Sequence, residues 1–218
     1  MKKLETQDLY AALMHESKNH LGLLALTIDS IPPTGQADHD RPLDDARLLC
    51  QRVVDRLQEA LLVYKAGKHA LTPSVDAYSP RDVLQVLRDT ADSLARGRLQ
   101  VDIALASEVP EIWFFDRDLV EMALMNAVHN SLEHARSRMR IRAAMVDGSL
   151  EISVWDDSDG FPEHMLQAFA EQRPYRARGT GLGLQFAQII AQAHENRGRR
   201  GELRLGNDNG AVFSLLLP

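Results

Sequence analysis

The stretch "RARGTGLGLQFAQIIAQAH", from Arg176 to His194, places three glycines at alternate positions directly before an apolar-periodic segment. The apolar residues recur at helical spacing, so a helix is predicted from about Gly181 to His194. Glycines let a backbone approach a polyphosphate closely, and a helix N-terminus offers unpaired N–H groups and a positive dipole end. The pattern therefore predicts a phosphate-binding loop at Gly179, Gly181 and Gly183, and a flexible loop without a ligand is the alternative.

A second polar pattern, "NAVHNSLEHA" from Asn126 to Ala135, lies in a predicted helix of about residues 116–135. Asn126 and Asn130 are four residues apart, so their side-chain amides project from one face of that helix. Amide oxygens are hard ligands of the kind that Mg²⁺ accepts beside water. The pair is a candidate metal site, and two ordinary surface residues are the alternative.

A third pattern, "SVWDDSDGFP" from Ser153 to Pro162, predicts a strand that ends at Asp156 and continues into a turn through Ser158 and Gly160. A carboxylate at a strand end can accept a hydrogen bond from the amino group of a nucleotide base. Asp and Gly are also ordinary turn residues. This segment alone leaves both interpretations open.

Predicted strands and helices surround these three patterns. Alternating apolar residues predict strands at "LQVDIALA", "MRIRAAMV" and "LEISVWD", residues 99–106, 139–146 and 150–156. Ser79 and Pro80 indicate the start of a helix that continues through Ala95. Residues 202–218 predict a closing hairpin around "NDNG". Mixed strands and helices of this kind predict an α/β sandwich.

The first part of the chain has a different pattern, which predicts a helical hairpin. Two segments with apolar positions in steps of four and three, as in a heptad seam, flank the helix-breaking "IPPTGQADHDRP" at residues 31–42. Two helices with one narrow apolar stripe each bury that stripe poorly as a lone pair. A dimeric four-helix bundle, made from the hairpins of two chains, is therefore predicted. The seam residues are Tyr10, Met14, Ser17, Leu21, Leu24, Ile28 and Ile31, then Ala46, Cys50, Val53, Leu57, Ala60 and Tyr64.

The change of pattern near Lys68 predicts two domains, the helical hairpin at residues 1–67 and the α/β domain at residues 68–218. The net charge of −6 disfavours nucleic-acid binding, and no apolar run reaches the ~18 residues of a membrane span. The N-terminus lacks the apolar region of a signal peptide, so a cytoplasmic protein is expected. The single cysteine, Cys50, excludes an internal disulfide and is predicted to fill the hairpin core.

The order of the three patterns resembles the N, G1 and G2 boxes of the histidine-kinase ATP-binding domain, which belongs to a group shared with gyrase, Hsp90 and MutL. Upstream, "HESKN" from His15 to Asn19 resembles the H-box of the dimerisation and phosphotransfer domain, in its H-E-x-x-N form. The resemblance covers nearly the whole chain. It implies a sensor histidine kinase catalytic core without a sensor domain.

The resemblance implies a role for each H-box residue. His15 would be the phosphoacceptor, and Glu16 would be the base that deprotonates its imidazole. Asn19 would position the water that hydrolyses the phospho-aspartate of a partner response regulator receiver domain. Helix periodicity places Asn19 on the same face as His15, and neither residue lies on the seam.

In the ATP-binding half, the resemblance implies Mg²⁺ at Asn130 and the triphosphate beside Asn126. Asp156 would accept the adenine amino group, and Gly160 would shape that pocket. Arg176 and Arg178 are equally well explained as lid cations and as exposed loop residues. The residues that would line the phosphates and the lid hinge are Gly179, Thr180, Gly181, Leu182 and Gly183.

The sequence departs from the family pattern at several places. His20 stands where a proline is usual, Ser158 replaces the first G1 glycine, and Glu133 replaces a basic N-box residue. The lid, about residues 163–178, is short, and Phe169 is the only candidate for an F-box residue. These departures weaken the expectation of autophosphorylation more than the expectation of the fold.

Three functions are therefore open. The first is an ATP-dependent histidine kinase that also dephosphorylates its regulator. The second is a degenerate kinase that docks a regulator or receives phosphate on His15. The third is a serine kinase of the anti-sigma type, which the helical hairpin with its H-box disfavours. The stimulus is expected to arrive through a separate sensor protein, or the chain is part of a larger protein.

Overall fold

The structure is a computed structural model that describes residues 6–32, 34, 42–43, 46, 49–50, 53–54, 56–57, 60–61, 71–171 and 182–218. The chain divides into two compact units, Met1–His69 and Ala70–Pro218. Each unit is described by itself. The functional assignment of the two units, with a boundary after residue 67, stays a prediction.

The first unit begins with helix α1, Thr6–Asp29. The helix ends just before Ile31 and Pro32, because a proline cannot donate a backbone hydrogen bond and restricts the residue before it. Further on, the described positions at 42–43, 46, 49–50, 53–54, 56–57 and 60–61 are helical. Of the seam residues, Cys50 is buried, whereas Leu24 and Val53 are exposed in the single chain.

The second unit combines four helices with nine short and long strands in the described ranges. The helices are α2 (Pro80–Ala95), α3 (Arg117–His134), α4 (Glu163–Ala170) and α5 (Leu182–Ala193). The strands are β1 (Asp76–Tyr78), β2 (Gln100–Leu105), β3 (Trp113–Phe115), β4 (Arg138–Val146), β5 (Ser149–Asp156), β6 (Glu195–Asn196), β7 (Arg199–Arg200), β8 (Glu202–Asn207) and β9 (Ala211–Leu217).

The main sheet has five strands in the order β2–β4–β5–β9–β8. Strand β2 is parallel to β4, and the other neighbours are antiparallel. The helices α2, α3 and α5 pack on the sheet, and α3 also packs against the other two helices. The predicted α/β sandwich is therefore confirmed.

Alternating burial along β4 fixes which face of the sheet meets the helices. Met139 and Ile141 are almost completely buried, whereas the intervening Arg140 and Arg142 are exposed. This is the alternation that a strand with one buried face requires. The core consequently lies on the helix side of the sheet.

Two small sheets were not predicted. Strands β1 and β3 pair antiparallel, and their inner side buries Phe115, whose ring lies 5.6 Å from that of Tyr78. Strands β6 and β7 form a hairpin of two residues a side. Segments of two or three residues are too short to show a hydrophobic period, so only their pairing identifies them.

A carboxylate joins the end of β5 to the start of β4. Asp157 accepts hydrogen bonds from the backbone N–H of Arg136 at 2.8 Å and from the backbone N–H and hydroxyl of Ser137, the latter at 2.7 Å. Burial acts to raise the pKa of Asp157, but these hydrogen bonds outweigh it and hold the pKa well below its usual value. Asp157 therefore stabilises the fold in its ionised form.

In the part of the chain that the structure describes, none of the helices combines the length and the apolar character needed to cross a bilayer.

The Ile141→Ala substitution tests the orientation of β4. We expect it to lower the free energy of unfolding by about 2–4 kcal/mol, because it removes a fully buried side chain from the core. Arg142→Ala, on the next residue, is the matched control and should change stability by less than about 0.5 kcal/mol. Urea denaturation measures both, and equal losses would contradict the assigned faces.

The Asp157→Asn substitution tests the hydrogen bonds that the Asp157 carboxylate accepts from Arg136 and Ser137. At pH 7 we expect a loss of about 1–2 kcal/mol in the free energy of unfolding, because a charged acceptor becomes a neutral one. Because folding lowers the pKa of Asp157, the stability difference between the wild type and the variant should reach its full size at pH values well above about 3.9, the ordinary pKa of an aspartate. The difference should shrink as the pH falls below that value. Denaturation curves from pH 7 to pH 3 measure it. The Glu111→Gln variant, at an exposed position, is the control. A stability difference between Asp157→Asn and the wild type that does not change with pH would contradict this role of Asp157.

Candidate functional site

The site is centred on a buried carboxylate at the end of β5. Inward positions of this strand alternate from Leu150 through Ile152 and Val154 to Asp156, so the carboxylate continues an apolar face. Asp156 is 4% exposed. Burial of a charge in such surroundings requires hydrogen-bond donors. The strand therefore holds a polar acceptor in a fixed position on the helix side of the sheet.

Two donors reach the carboxylate of Asp156. The hydroxyl of Ser131, on α3, donates to Oδ2 at 2.7 Å, and the backbone N–H of Ser158 donates to Oδ1 at 3.0 Å. A carboxylate can accept about four hydrogen bonds. In the described ranges, the ion pairs involve other carboxylates, and Asp156 has no cation partner. The group thus retains the capacity to accept a donor from a ligand.

The predicted asparagine pair lies on the same helix as Ser131. Asn126 is half-buried and donates to the carbonyl of Met122 at 3.4 Å, while Asn130 is exposed. Asn130 directly precedes Ser131, so the helix that holds the carboxylate also presents this amide. Glu133, the acidic departure, is exposed one turn further along α3.

The turn after β5 folds back on the carboxylate. The Ser158 hydroxyl accepts a hydrogen bond from the backbone N–H of Gly160 at 3.1 Å, in addition to the bond from the Ser158 amide to Asp156. Gly160 has φ +82°, a conformation that favours glycine. Ser158, in place of a glycine, therefore adds a local hydrogen bond that stabilises this turn.

Asn207, at the end of β8, holds the same turn from the other side. Its Oδ1 accepts from the backbone N–H of Phe161 at 2.7 Å, and its Nδ2 donates to the Phe161 carbonyl at 2.9 Å. A Cβ on Gly160 would lie 2.6 Å from that Oδ1. The Asn207 amide thus occupies the space beside Gly160, in addition to the positive φ that favours a glycine at this position.

Gly210 closes the hairpin between β8 and β9 against the end of β5. Its φ is +151°, and a Cβ at this position would lie 1.8 Å from the Asp156 carbonyl oxygen. A side chain would displace the backbone of Asp156. Gly210 therefore contributes to the position of the carboxylate without touching it.

A histidine joins the far ends of α3 and α5. His194 is buried, its Nε2 accepts from the backbone N–H of Asp116 at 3.0 Å, and its Nδ1 lies 2.8 Å from the Ile190 carbonyl. Because Asp116 donates, Nε2 must be unprotonated and Nδ1 carries the proton. Burial lowers the pKa of His194, against the opposing effects of the Ile190 carbonyl and the Asp116 charge, and so favours this neutral form.

Asp116 in turn caps α3. Its side chain accepts from the backbone N–H of Leu119 at 3.1 Å and from that of Ser74 at 2.7 Å. Asp116 thus connects the start of α3 with the end of α5 and with the segment before β1. This network fixes the two helices at the end remote from Ser131.

The glycine loop falls outside the described residues. Gly179, Thr180 and Gly181, together with Arg176 and Arg178, lie in that gap, and helix α5 begins at Leu182, whose side chain is also not described. Gly183 is half-buried on the first turn of α5. The helix that the glycine pattern predicts is therefore present, and the phosphate loop itself stays a prediction.

The H-box lies on α1 in the first unit. Glu16 and Asn19 are exposed, and His20 is exposed as well, with the helix continuing through it. The side chain of His15 lies outside the described residues. The catalytic roles of His15, Glu16 and Asn19 stay predictions.

Several residues of the site were missed from the sequence. Ser131 and His194 lie within the quoted patterns as ordinary helix residues, and Asn207 and Gly210 were assigned only to a hairpin turn. Their roles depend on contacts with residues 25 to 78 positions away. For Ser131 the sequence did carry one signal. It is a polar residue next to the asparagine pair, but it faces the apolar side of its helix.

The residues present fit a nucleotide and a hydrated cation. Asp156 offers a buried acceptor for a base amino group, and Asn130 offers an exposed amide oxygen. Mg²⁺ takes few protein ligands when phosphates supply the remainder. In the described part of the chain, no group of three or more His, Cys, Asp or Glu side chains has the arrangement of a metal site.

Comparison with protein families gives one matching family model. The histidine kinase-, DNA gyrase B- and HSP90-like ATPase matches residues 115–218, from the last residue of β3 to the C-terminal proline. This range contains Asn126, Asn130, Asp156 and the glycine loop.

Curated relatives are similar over most of the chain. Sporulation kinase E of Bacillus subtilis is 26% identical and covers 97% of this chain and 28% of its own length. The sensory histidine kinase/phosphatase NtrB of Klebsiella oxytoca is 28% identical, and the alignment covers 90% of this chain and 58% of NtrB. The nitrogen regulation protein NtrY of Azorhizobium caulinodans is 32% identical, with 86% and 26% covered. The chain thus spans between about a quarter and three fifths of the length of these relatives.

Solved structures share the fold, which is that of the histidine kinase, gyrase and Hsp90 type of ATPase. Full-length ShkA in complex with AMPPNP superposes with a TM-score of 0.69 at 20% identity, covering 98% of this chain and 46% of its own. The histidine kinase AdeS of Acinetobacter baumannii gives a TM-score of 0.62 at 17% identity, covering 92% and 94%. The ATPase family model at residues 115–218 and the curated histidine kinases that match most of the chain together support a histidine kinase catalytic core.

Proposed function

We propose that this protein is a two-component histidine kinase that phosphorylates His15 from Mg-ATP and transfers the phosphoryl group to an aspartate of a response regulator. The observation that carries the proposal is the buried Asp156 carboxylate, which has two neutral donors and no cation partner in the described ranges. Such an acceptor suits the amino group of adenine, and the domain around it belongs to an ATPase family. The AMPPNP complex of the structural neighbour ShkA supports the same ligand class.

In the proposed nucleotide site, Asp156 binds the adenine amino group and Ser131 keeps the carboxylate in place. Gly160 shapes the adenine pocket through the turn that follows Asp156, and Asn130 holds Mg²⁺, whose charge offsets that of the phosphates. Asn126 flanks the triphosphate. The residues that line the phosphates and the lid hinge are Gly179, Thr180, Gly181, Leu182 and Gly183.

In the proposed transfer, one imidazole nitrogen of His15 attacks the γ-phosphorus of ATP. An N–P bond forms while the bond from the γ-phosphorus to the bridging oxygen breaks, and ADP leaves. Glu16 accepts the proton from the other ring nitrogen. A carboxylate oxygen of the regulator then takes the phosphoryl group from His15. Asn19, which is exposed one turn away, positions a water for the opposing reaction, hydrolysis of the phospho-aspartate.

The proposed assembly is a homodimer through the helices of the first unit. Two of the predicted seam residues support it, since Leu24 and Val53 are exposed by 47% and 38% in the single chain. Exposed apolar surface of this kind marks interaction sites. The partners proposed for the dimer are the receiver domain of a response regulator and a separate sensor protein.

A labelling experiment distinguishes the three candidate functions. Incubation with γ-labelled ATP and Mg²⁺ should give a phosphoprotein whose label is acid-labile and base-stable, because phosphorus is bound to an imidazole nitrogen. His15→Gln should abolish the label, and His20→Gln, on the same helix, is the control that should retain it. Acid-stable label would identify a hydroxyl acceptor and a serine kinase. Nucleotide binding without label would identify the degenerate module, which the exposed acid Glu133 favours.

Base selectivity tests the role of Asp156. Asp156→Asn should weaken ATP binding about ten- to a hundredfold, because a charged acceptor of the adenine amino group is lost. Binding of GTP, which has a carbonyl at that position, should not weaken, since an amide can donate to it. Titration calorimetry measures both nucleotides. The matched control is Asp157→Asn, whose carboxylate binds Arg136 and Ser137, and equal losses in the two variants would exclude the assignment.

A further inference from the structure

The outward face of the main sheet carries a row of arginines. Arg138, Arg140 and Arg142 occupy alternate positions of β4, and all three are exposed. Alternate residues of a strand lie about 7 Å apart on one face. These three residues, the arginine strip, therefore form a straight line of positive charge on a central strand.

Trp155 stands beside the strip on β5. It is in register with Arg140, and its ring centroid lies 5.7 Å from the guanidinium carbon of Arg140 and 6.0 Å from that of Arg138. Its indole N–H donates to the Asp208 carbonyl at 2.8 Å, which fixes the orientation of the ring. The two guanidinium groups are thus held by a rigid aromatic surface that leaves their N–H donors available.

The strip lacks carboxylate partners within the described ranges. Arg204, on β8, pairs with Glu202 at 2.7 Å, whereas none of the strip residues makes an ion pair. Asp102 is in register with Arg140 on β2, and its carboxylate accepts from Gln100. Three neighbouring positive charges repel one another, and the described part of the fold supplies no anion that pairs with them.

We propose that the arginine strip and Trp155 form a docking surface for an acidic segment of a partner protein. Guanidinium groups bind carboxylates through paired hydrogen bonds, and Arg and Trp are enriched among residues that dominate protein interfaces. The net charge of the chain is −6, so extended polyanions such as nucleic acid meet overall repulsion. A short run of carboxylates instead meets mainly the charge of the three arginines, although Asp102 lies on the neighbouring strand in register with Arg140.

The geometry also sets the kind of segment. An extended chain with carboxylates at alternate positions has the same spacing of about 7 Å as the strip. Trp155 faces outward while the next residue, Asp156, faces the helices. Docking therefore uses the side of the sheet opposite the candidate nucleotide site, and its test does not depend on the proposed kinase activity.

The experiment uses the full chain and a fluorescently labelled ten-residue peptide of alternating Glu and Ser. Anisotropy should show saturable binding that weakens as the salt concentration rises. The Arg138→Glu/Arg140→Glu variant should raise Kd at least about tenfold, because it removes two charge-assisted contacts. The control Arg81→Glu/Arg197→Glu changes the net charge equally at exposed sites elsewhere and should shift Kd by no more than about twofold in roughly 0.15 M salt.

Three results would overturn the proposal. The first is no saturable binding of the acidic peptide to the wild-type chain. The second is an equal loss in the two charge-reversal variants, which would show a net-charge effect. The third is tighter binding of a DNA duplex or of anionic lipid vesicles that displaces the peptide. Arg138→Gln/Arg140→Gln, which adds no negative charge, replaces the reversal if circular dichroism shows that the latter is unfolded.

Discussion

The hydrogen bond from the Ser131 hydroxyl to the Asp156 carboxylate connects the two halves of the ATPase fold, helix α3 and strand β5. A carboxylate that is 4% exposed cannot be left without donors, so the strand end, the helix and the following turn must all keep their positions. Ser158 supplies the second donor from the turn. The protein supplies two donors to the Asp156 carboxylate, which can accept more. A ligand with a further donor would then complete its hydrogen bonding. Affinity and fold stability consequently depend on the same group.

The loops around the carboxylate show how this position is maintained. Gly210 brings the β8–β9 turn against the Asp156 carbonyl, and the Asn207 amide binds both backbone groups of Phe161. At the other ends of the helices, the neutral His194 accepts from Asp116 and ties α5 to the cap of α3. The candidate site is therefore formed by loops whose conformations are set by sheet and helix contacts. Rigid support of this kind is what accurate placement of a binding group requires.

The long periodic elements could be predicted from the sequence, because each carries its own signal. Strands β4 and β5 alternate, and helix α2 begins at Ser79 and Pro80, as capping chemistry indicates. The short strands β1, β3, β6 and β7 could not be predicted, since only pairing with another segment defines them. In the candidate site, Asp156 and Asn130 were predicted from the order of the motifs, and their roles stay predictions. Asn207 and His194 act through residues 46 and 78 positions away, and no local pattern encodes such contacts.

Two adjacent residues of β5, Trp155 and Asp156, lie on opposite faces of the sheet and belong to different candidate sites. Because side chains alternate across a strand, Asp156 must face the helices if Trp155 faces outward. A slip of one residue in the pairing with β4 would place the carboxylate beside Arg140 and the indole in the core. The same slip would turn Leu150, Ile152 and Val154 out of the core, so the apolar face of β5 enforces the register that keeps the two groups on opposite sides of the sheet. A surface for a partner and a site for a ligand can therefore occupy one strand without sharing a side chain.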